Sequence, residues 1–112
     1  MGTFNNIMNN KAIYTCDLKA DEKDAPFLLG KYRPSSVMVS GVLAGGKLVV
    51  EGTNDLSQEP EFFILNDSQG NPLVFAYANL EQIQEDCVQL RIRMAGGSAD
   101  TKIKVIVLLR NV

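Results

Sequence analysis

The sequence predicts an all-β fold, an antiparallel β-sandwich of about seven or eight strands with one short helical turn. Three observations lead there. Turn-forming residues punctuate the chain every ten or so positions, and the segments between them are rich in Val, Ile, Leu, Phe and Tyr. The last two segments also alternate apolar and polar residues with a period of two, the repeat of a half-buried strand. Seven stretches qualify as strands: 11–18, 35–44, 47–53, 61–66, 72–77, 86–94 and 101–110.

Residues 1–10 contain four Asn and read as a flexible tail that a partner could order. Residues 11–112 then form one β-sandwich domain. Within it, residues 19–34 open with charged residues and continue through Pro26, Phe27, Leu28, Leu29 and Tyr32 to Arg33-Pro34. They read as a long surface loop or extended arm. Its apolar residues are either anchors for a partner or a cap folded back over one end of the sandwich.

The 35–53 region reads as a hairpin turning at Gly45-Gly46, because paired glycines accept the positive φ of tight turns. In that register Leu43 faces Leu48, Gly41 faces Val50 and Val39 faces Gly52 on an apolar side. Val42–Val49, Ser40–Glu51 and Met38–Thr53 fall on the other side. The run from Asn66 to Pro72 is turn chemistry throughout. Asn79 to Ile83 has the residues of one helical turn, with Asn79 as N-cap and Gln82 at the capping-box position.

In 86–94, Val88, Leu90, Ile92 and Met94 share one face, with Gln89, Arg91 and Arg93 opposite. In 101–110, Ile103, Val105, Val107 and Leu109 face the core, while Lys102, Lys104 and Arg110 point away. Ile106 and Leu108 also lie on that outward side. Either the strand is central and covered on both faces, or its outer face meets another subunit.

Bulk composition narrows the function. The chain has 112 residues, of which 46% are hydrophobic, enough for one domain with its own core. Net charge is −2, whereas nucleic-acid-binding domains usually carry a strong basic excess. The charge is uneven: residues 1–85 hold six cations and eleven acids, residues 86–112 five cations and two acids. Such a split can guide the docking of a partner or a like subunit. Arg91, Arg93, Lys102 and Lys104 form a basic face that lacks the interleaved aromatics of single-strand binders. Solubility and protection of strand edges explain it as well as an acidic protein partner does. No secretory signal opens the chain, and its apolar runs fall far short of the roughly 20 residues that span a bilayer. Neither a nucleic acid nor a membrane is therefore expected as a partner.

No His is present, which removes Ser-His-Asp and Cys-His nucleophile systems and His-based zinc sites. Cys16 and Cys87 stand alone and read as buried thiols in a reducing cytoplasm, bridged only if their strands are neighbours. Asp21, Glu22 and Asp24, the pair Glu59 and Glu61, and Asn54-Asp55 lack the spacing of an EF-hand loop or the cleft of a glycosidase. A non-enzyme is expected, with no catalytic residues, no cofactor and no metal site.

The run from Ser40-Gly41 to Gly46, followed by Leu48-Val49-Val50-Glu51-Gly52-Thr53-Asn54-Asp55, resembles an element of small phage and prophage virion proteins. The likeness continues through Asp67-Ser68-Gln69-Gly70-Asn71, Leu80-Glu81-Gln82-Ile83, Leu90-Arg91-Ile92-Arg93, Gly96-Gly97 and Ile103 to Arg110. Thr53 stands where serine is usual, and no Gly-Trp follows Asn54-Asp55. The resemblance implies a jelly-roll-like sandwich serving as a capsid decoration (cement) protein, often trimeric. Such a protein binds the major capsid protein on the virion surface after synthesis in the host cytoplasm. The same architecture serves in tails, necks and carbohydrate-binding modules. The residues expected at interfaces are Pro26, Phe27, Leu28, Leu29, Tyr32, Arg91, Arg93, Ile106 and Leu108.

Overall fold

The computed structural model describes residues 2–8 and 10–111, which form two antiparallel sheets packed as a sandwich. The first sheet runs β1 (Thr3–Met8), β2 (Lys11–Leu18), β10 (Lys102–Arg110), β4 (Arg33–Val42) and β8 (Asn79–Gln82). The second runs β3 (Phe27–Leu28), β9 (Gln89–Ala95), β5 (Lys47–Thr53) and β6 (Phe63–Ile64), with β7 (Val74–Phe75) also paired to β5. The all-β sandwich expected from turn spacing and alternation is the fold observed.

The core lies where the period-two pattern puts it, except that Val88, just ahead of β9, is exposed instead of buried. Ile103, Val105, Val107 and Leu109 of β10 face Leu90, Ile92 and Met94 of β9 across the interior, all of them buried. Val37 and Val39 of β4, Leu48 and Val50 of β5, and Ala12, Tyr14 and Cys16 of β2 complete it. Each fully buried Val, Leu or Ile contributes about 1.5–3 kcal/mol of transfer free energy, so this interior is the main stabilising term.

The 35–53 hairpin is corrected by the structure. β4 hydrogen-bonds to β10 and β8, whereas β5 hydrogen-bonds to β9, β6 and β7. The Leu43–Gly46 turn, closed by Gly46 N–H donating to the Leu43 carbonyl at 2.9 Å, carries the chain from one sheet to the other. Alternation was satisfied for a different reason: Val39, Leu43, Leu48 and Val50 meet face to face across the core instead of edge to edge along one sheet. A period of two reports which face is buried and is silent on which strand supplies the hydrogen bonds.

Three further segments differ from expectation. Asn79–Gln82 form β8, in register with Ser36–Val39, and not a helical turn. The Asn79 side chain accepts from the adjacent Leu80 N–H at 2.8 Å instead of capping a helix, and pairing with β4 satisfies backbone groups that one turn would leave open. The described residues of the predicted tail form β1, paired with β2 from Thr3↔Thr15 to Met8↔Lys11; Met1 and Asn9 lie outside the described residues. The 19–34 segment is not a free arm. Its backbone follows the edge of β9 through Met94 N to Glu22 O at 2.8 Å, Asp24 N to Ile92 O at 2.9 Å, β3, and Leu29 N to Val88 O at 3.0 Å.

The predicted turn at 66–72 is present. The Asp67 carboxylate accepts from the backbone of Gln69 at 2.9 Å and Asn71 at 3.0 Å, and the Asp67 N–H donates to the Asn71 carbonyl at 2.7 Å. This is the Asx chemistry that the residue types suggested.

Candidate interaction surfaces

The residues singled out as interface candidates do not form one site. The fold distributes them over one side of the sandwich and over the outer faces of its two sheets.

The side seam is aromatic. Phe27 of β3 stacks on Tyr14 of β2, with ring centroids 3.6 Å apart and planes 11° from parallel. The Tyr14 hydroxyl donates to the buried Asp24 carboxylate, and burial followed by that hydrogen bond raises its pKa, keeping the phenol protonated. Tyr32 donates to the Asn6 side-chain oxygen and packs against Phe4 at 5.5 Å. Leu29 and Tyr32 are buried and Phe27 is half-buried, whereas Pro26 and Leu28 are exposed, Leu28 at 62%. Most of the apolar loop thus seals the sandwich, leaving Leu28 at the rim of an apolar recess. Phe27→Ala is expected to lower stability by about 2–3 kcal/mol through the lost stack and the cavity left behind. Leu28→Ala should stay within about 0.5 kcal/mol. Urea unfolding of both variants checks the contrast.

Arg91 and Arg93 occupy the outer face of the second sheet, where both engage Glu51 of β5. The Arg91 Nε lies 2.9 Å and the Arg93 Nε 3.1 Å from Glu51 Oε1, and Arg93 Nη2 donates to Oε2 at 3.4 Å. Phe62 lies beneath the Arg91 guanidinium at 4.3 Å from the ring centroid. Burial alone would raise the Glu51 carboxyl, but hydrogen bonds from Arg93 and Arg91 outweigh it and hold the pKa below the usual range. The expected basic face is therefore split. Arg91 and Arg93 lie on one sheet, Lys102 and Lys104 on the other, because the chain crosses the sandwich between β9 and β10. Glu51 was the functional-looking residue missed; an acid inside Leu48–Thr53 was its only signal.

Ile106 and Leu108 lie half-buried on the outer face of the first sheet, on the central strand β10. Strand register aligns them with like neighbours. One row reads Thr15, Ile106, Met38, Leu80, and the next reads Ile13, Leu108, Ser36, Gln82. Neither row carries a charge. Cations bracket them: Lys11, Arg110 and Arg33 toward one end, Lys104 and Lys102 toward the other, with Asp17 opposite Lys104. Arg33 also lies 3.5 Å from Asp86.

Reactive chemistry is sparse on these surfaces. Cys16 and Cys87 are free thiols in different parts of the fold, and burial pushes them up to about 12 and about 11, which keeps them protonated. Among the described residues, no three His, Cys, Asp or Glu side chains converge where they could hold a metal ion. No helix among them is long and apolar enough to cross a membrane.

No protein-family model matches the sequence, and no curated protein does. Among solved structures, the fold is similar to that of the SPBc2 prophage-derived protein YomS, with a TM-score of 0.61 at 12% identity. The likeness covers 93% of this chain and 99% of that one, so the sandwich is shared nearly end to end.

Proposed function

We propose that this chain is a non-catalytic structural protein of a tailed-phage particle, and specifically a capsid decoration protein that binds the assembled major capsid protein and stabilises the shell. The observation that carries this reading is the uncharged double row across the outer face of the first sheet, centred on Ile106 and Leu108 and bracketed by cations. A five-stranded face of this kind suits a protein partner better than a small molecule. The prophage origin of the structural neighbour supports a phage setting. Many copies, each making modest contacts on a symmetric shell, would reinforce it through repeated attachment. The protein would be made in the host cytoplasm, where Cys16 and Cys87 stay reduced, and would reside on the capsid surface.

A second reading has one observation in its favour. A recess of about 240 Å³ beside β7 and β8 is lined by Asp67, Asn71, Asn79 and Tyr77, and Tyr77 is 69% exposed. An open aromatic ring beside amide and carboxylate groups is the mixture a sugar-binding site uses. Co-sedimentation with shells assembled without this protein separates the two readings. Decoration predicts saturable binding at a fixed ratio to the capsid protein. A folded protein that stays in the supernatant, yet selects glycans on an array and loses them on Tyr77→Ala, would establish the second reading instead.

A further inference from the structure

We infer that β1 is an interface between two copies of this chain, which pair antiparallel through it about a two-fold axis at Phe4 and join their first sheets into one. The inference goes beyond the shell-binding reading and leaves the outer face of that sheet free.

Edge chemistry singles out β1. It is the terminal strand of the first sheet, so one row of its backbone N–H and C=O groups has no strand partner among the described residues. The other terminal strands are blunted: β3 and β6 are two residues long, and β8 is four residues long and carries Glu81. Residues 2–10 contain neither a charge nor a proline, two of the devices that keep edges apart. Phe4 is 40% exposed and lines an apolar recess of about 510 Å³ together with Tyr14, Phe27, Leu28 and Tyr32. Among the described residues, the only charged one lining that recess is Lys31. A second copy is the occupant that this edge fits. Two neutral strands meet on a two-fold axis without opposing like charges, and isologous pairing consumes both edges at once.

The fold also fixes the register. Directly opposite residues of an antiparallel pair point to the same face. Phe4 and Asn6 pair with buried Tyr14 and Ala12 on β2, so both point inward, and Phe4 packs on Tyr32. Phe4 must therefore meet an inward residue of the other copy. β1 bulges between Asn6 and Met8, which ends its regular run at Asn6. Pairing Phe4 with Asn6 would set the bulged Ile7 opposite Thr3, and pairing it with Gly2 would shorten the ladder. Phe4 opposite Phe4 keeps residues 2–6 aligned. Thr3 then faces Asn5, and the two aromatic rings meet beside the recesses as a favoured cross-strand pair. Five strands from each copy form one ten-stranded sheet, with both outer faces on the same side. So short a ladder buries well under the roughly 800 Å² per partner of a standard stable interface, so the dimer should dissociate on dilution.

Light scattering across a dilution series, with disulfide trapping, tests this on the full chain. Wild type should be dimeric at millimolar concentration and monomeric when dilute. Thr3→Lys with Asn5→Lys opposes like charges at two places across the axis and should weaken the dimer about tenfold or more. Thr3→Glu with Asn5→Lys opposes unlike charges in the same register and should restore it. Both positions are exposed, so circular dichroism of the dilute proteins should not change. Under mild oxidation, an equimolar mixture of Thr3→Cys and Asn5→Cys should cross-link as a heterodimer faster than either variant cross-links alone. Only Thr3 and Asn5 lie directly opposite, and a disulfide needs Cα atoms within about 7 Å. A wild type that is monomeric throughout, equal affinities of the two charge variants, or trapping without that preference would overturn the inference. So would Asn5→Cys trapped on the capsid protein of a shell in place of a second copy, which would give the edge to that partner. Shell binding reads out independently: a monomer that still decorates shells refutes this pairing alone, and a dimer that ignores shells refutes decoration alone.

Discussion

Replacing Glu51 by alanine is expected to destabilise the protein by about 3–5 kcal/mol, the range for removing one partner of a buried ion pair. The Glu51 side chain is only 7% accessible, and it holds Arg91 and Arg93, which are 23% and 29% accessible and lie two residues apart on one face of β9. Without the carboxylate, two guanidinium groups face each other with their hydrogen bonds unmet, at a site that gives them limited access to water. Arg93→Met should cost less, because Arg91 still pairs the acid. Glu51→Gln keeps the shape and removes the charge, so it should fall between wild type and alanine. The same pair predicts a pH signature. The folded pKa of Glu51 lies below its ordinary value of 4.5, so its stabilisation is present above that value and is lost as pH falls through the folded pKa. Urea midpoints of wild type and Glu51→Gln should therefore converge below pH 4.5 and differ most at neutral pH. A gap that is constant across that range would remove the charged pair as the cause.

Gly41→Ala is expected to cost about 3 kcal/mol or more, combining backbone strain with a steric clash. Gly41 has φ +104°, and a β-carbon there would sit 2.3 Å from the Lys102 carbonyl oxygen on β10. That atom belongs to the backbone of the central strand, so relief requires parting β4 from β10. Gly45 supplies the internal control. Its φ is +86°, but nothing lies within 4 Å of an added β-carbon. Gly45→Ala should therefore cost only the conformational part, about 1 kcal/mol. Equal losses at the two glycines would show that the close approach contributes nothing.

Much of the interior was legible in the sequence because burial imposes its own period. The buried sets Leu90-Ile92-Met94 and Ile103-Val105-Val107-Leu109 are among the residues that alternation named, Val88 being the one of them left exposed, and the Asp67 turn follows from residue type. Strand partners were not legible. Leu43 and Leu48 are compatible both with a hairpin and with a crossing between sheets, since both bury the same side chains. The same ambiguity joined Arg91 and Arg93 to Lys102 and Lys104 as one basic face, although the sandwich places them back to back. Asn79–Gln82 could serve either as a helical turn or as an edge strand, and the open edge of β4 decides it. At the candidate surfaces, Ile106 and Leu108 were visible as apolar residues on a solvent-facing register. Their neighbours Ile13, Met38 and Leu80 emerged only once pairing across four strands was known. The loop aromatics Phe27 and Tyr32 could have pointed outward; their partners, Tyr14 on β2 and Asn6 on β1, are distant in sequence and beyond the reach of local patterns.

The central claim is that the chain stabilises a capsid by binding its surface. Heating shells with and without saturating protein, while following release of their contents, tests it most directly. The account predicts that decorated shells hold together to a higher temperature, and that the gain disappears when Leu108→Asp disrupts the outer face of the first sheet. Shells that bind the protein to saturation yet fail at the same temperature as bare shells would contradict it.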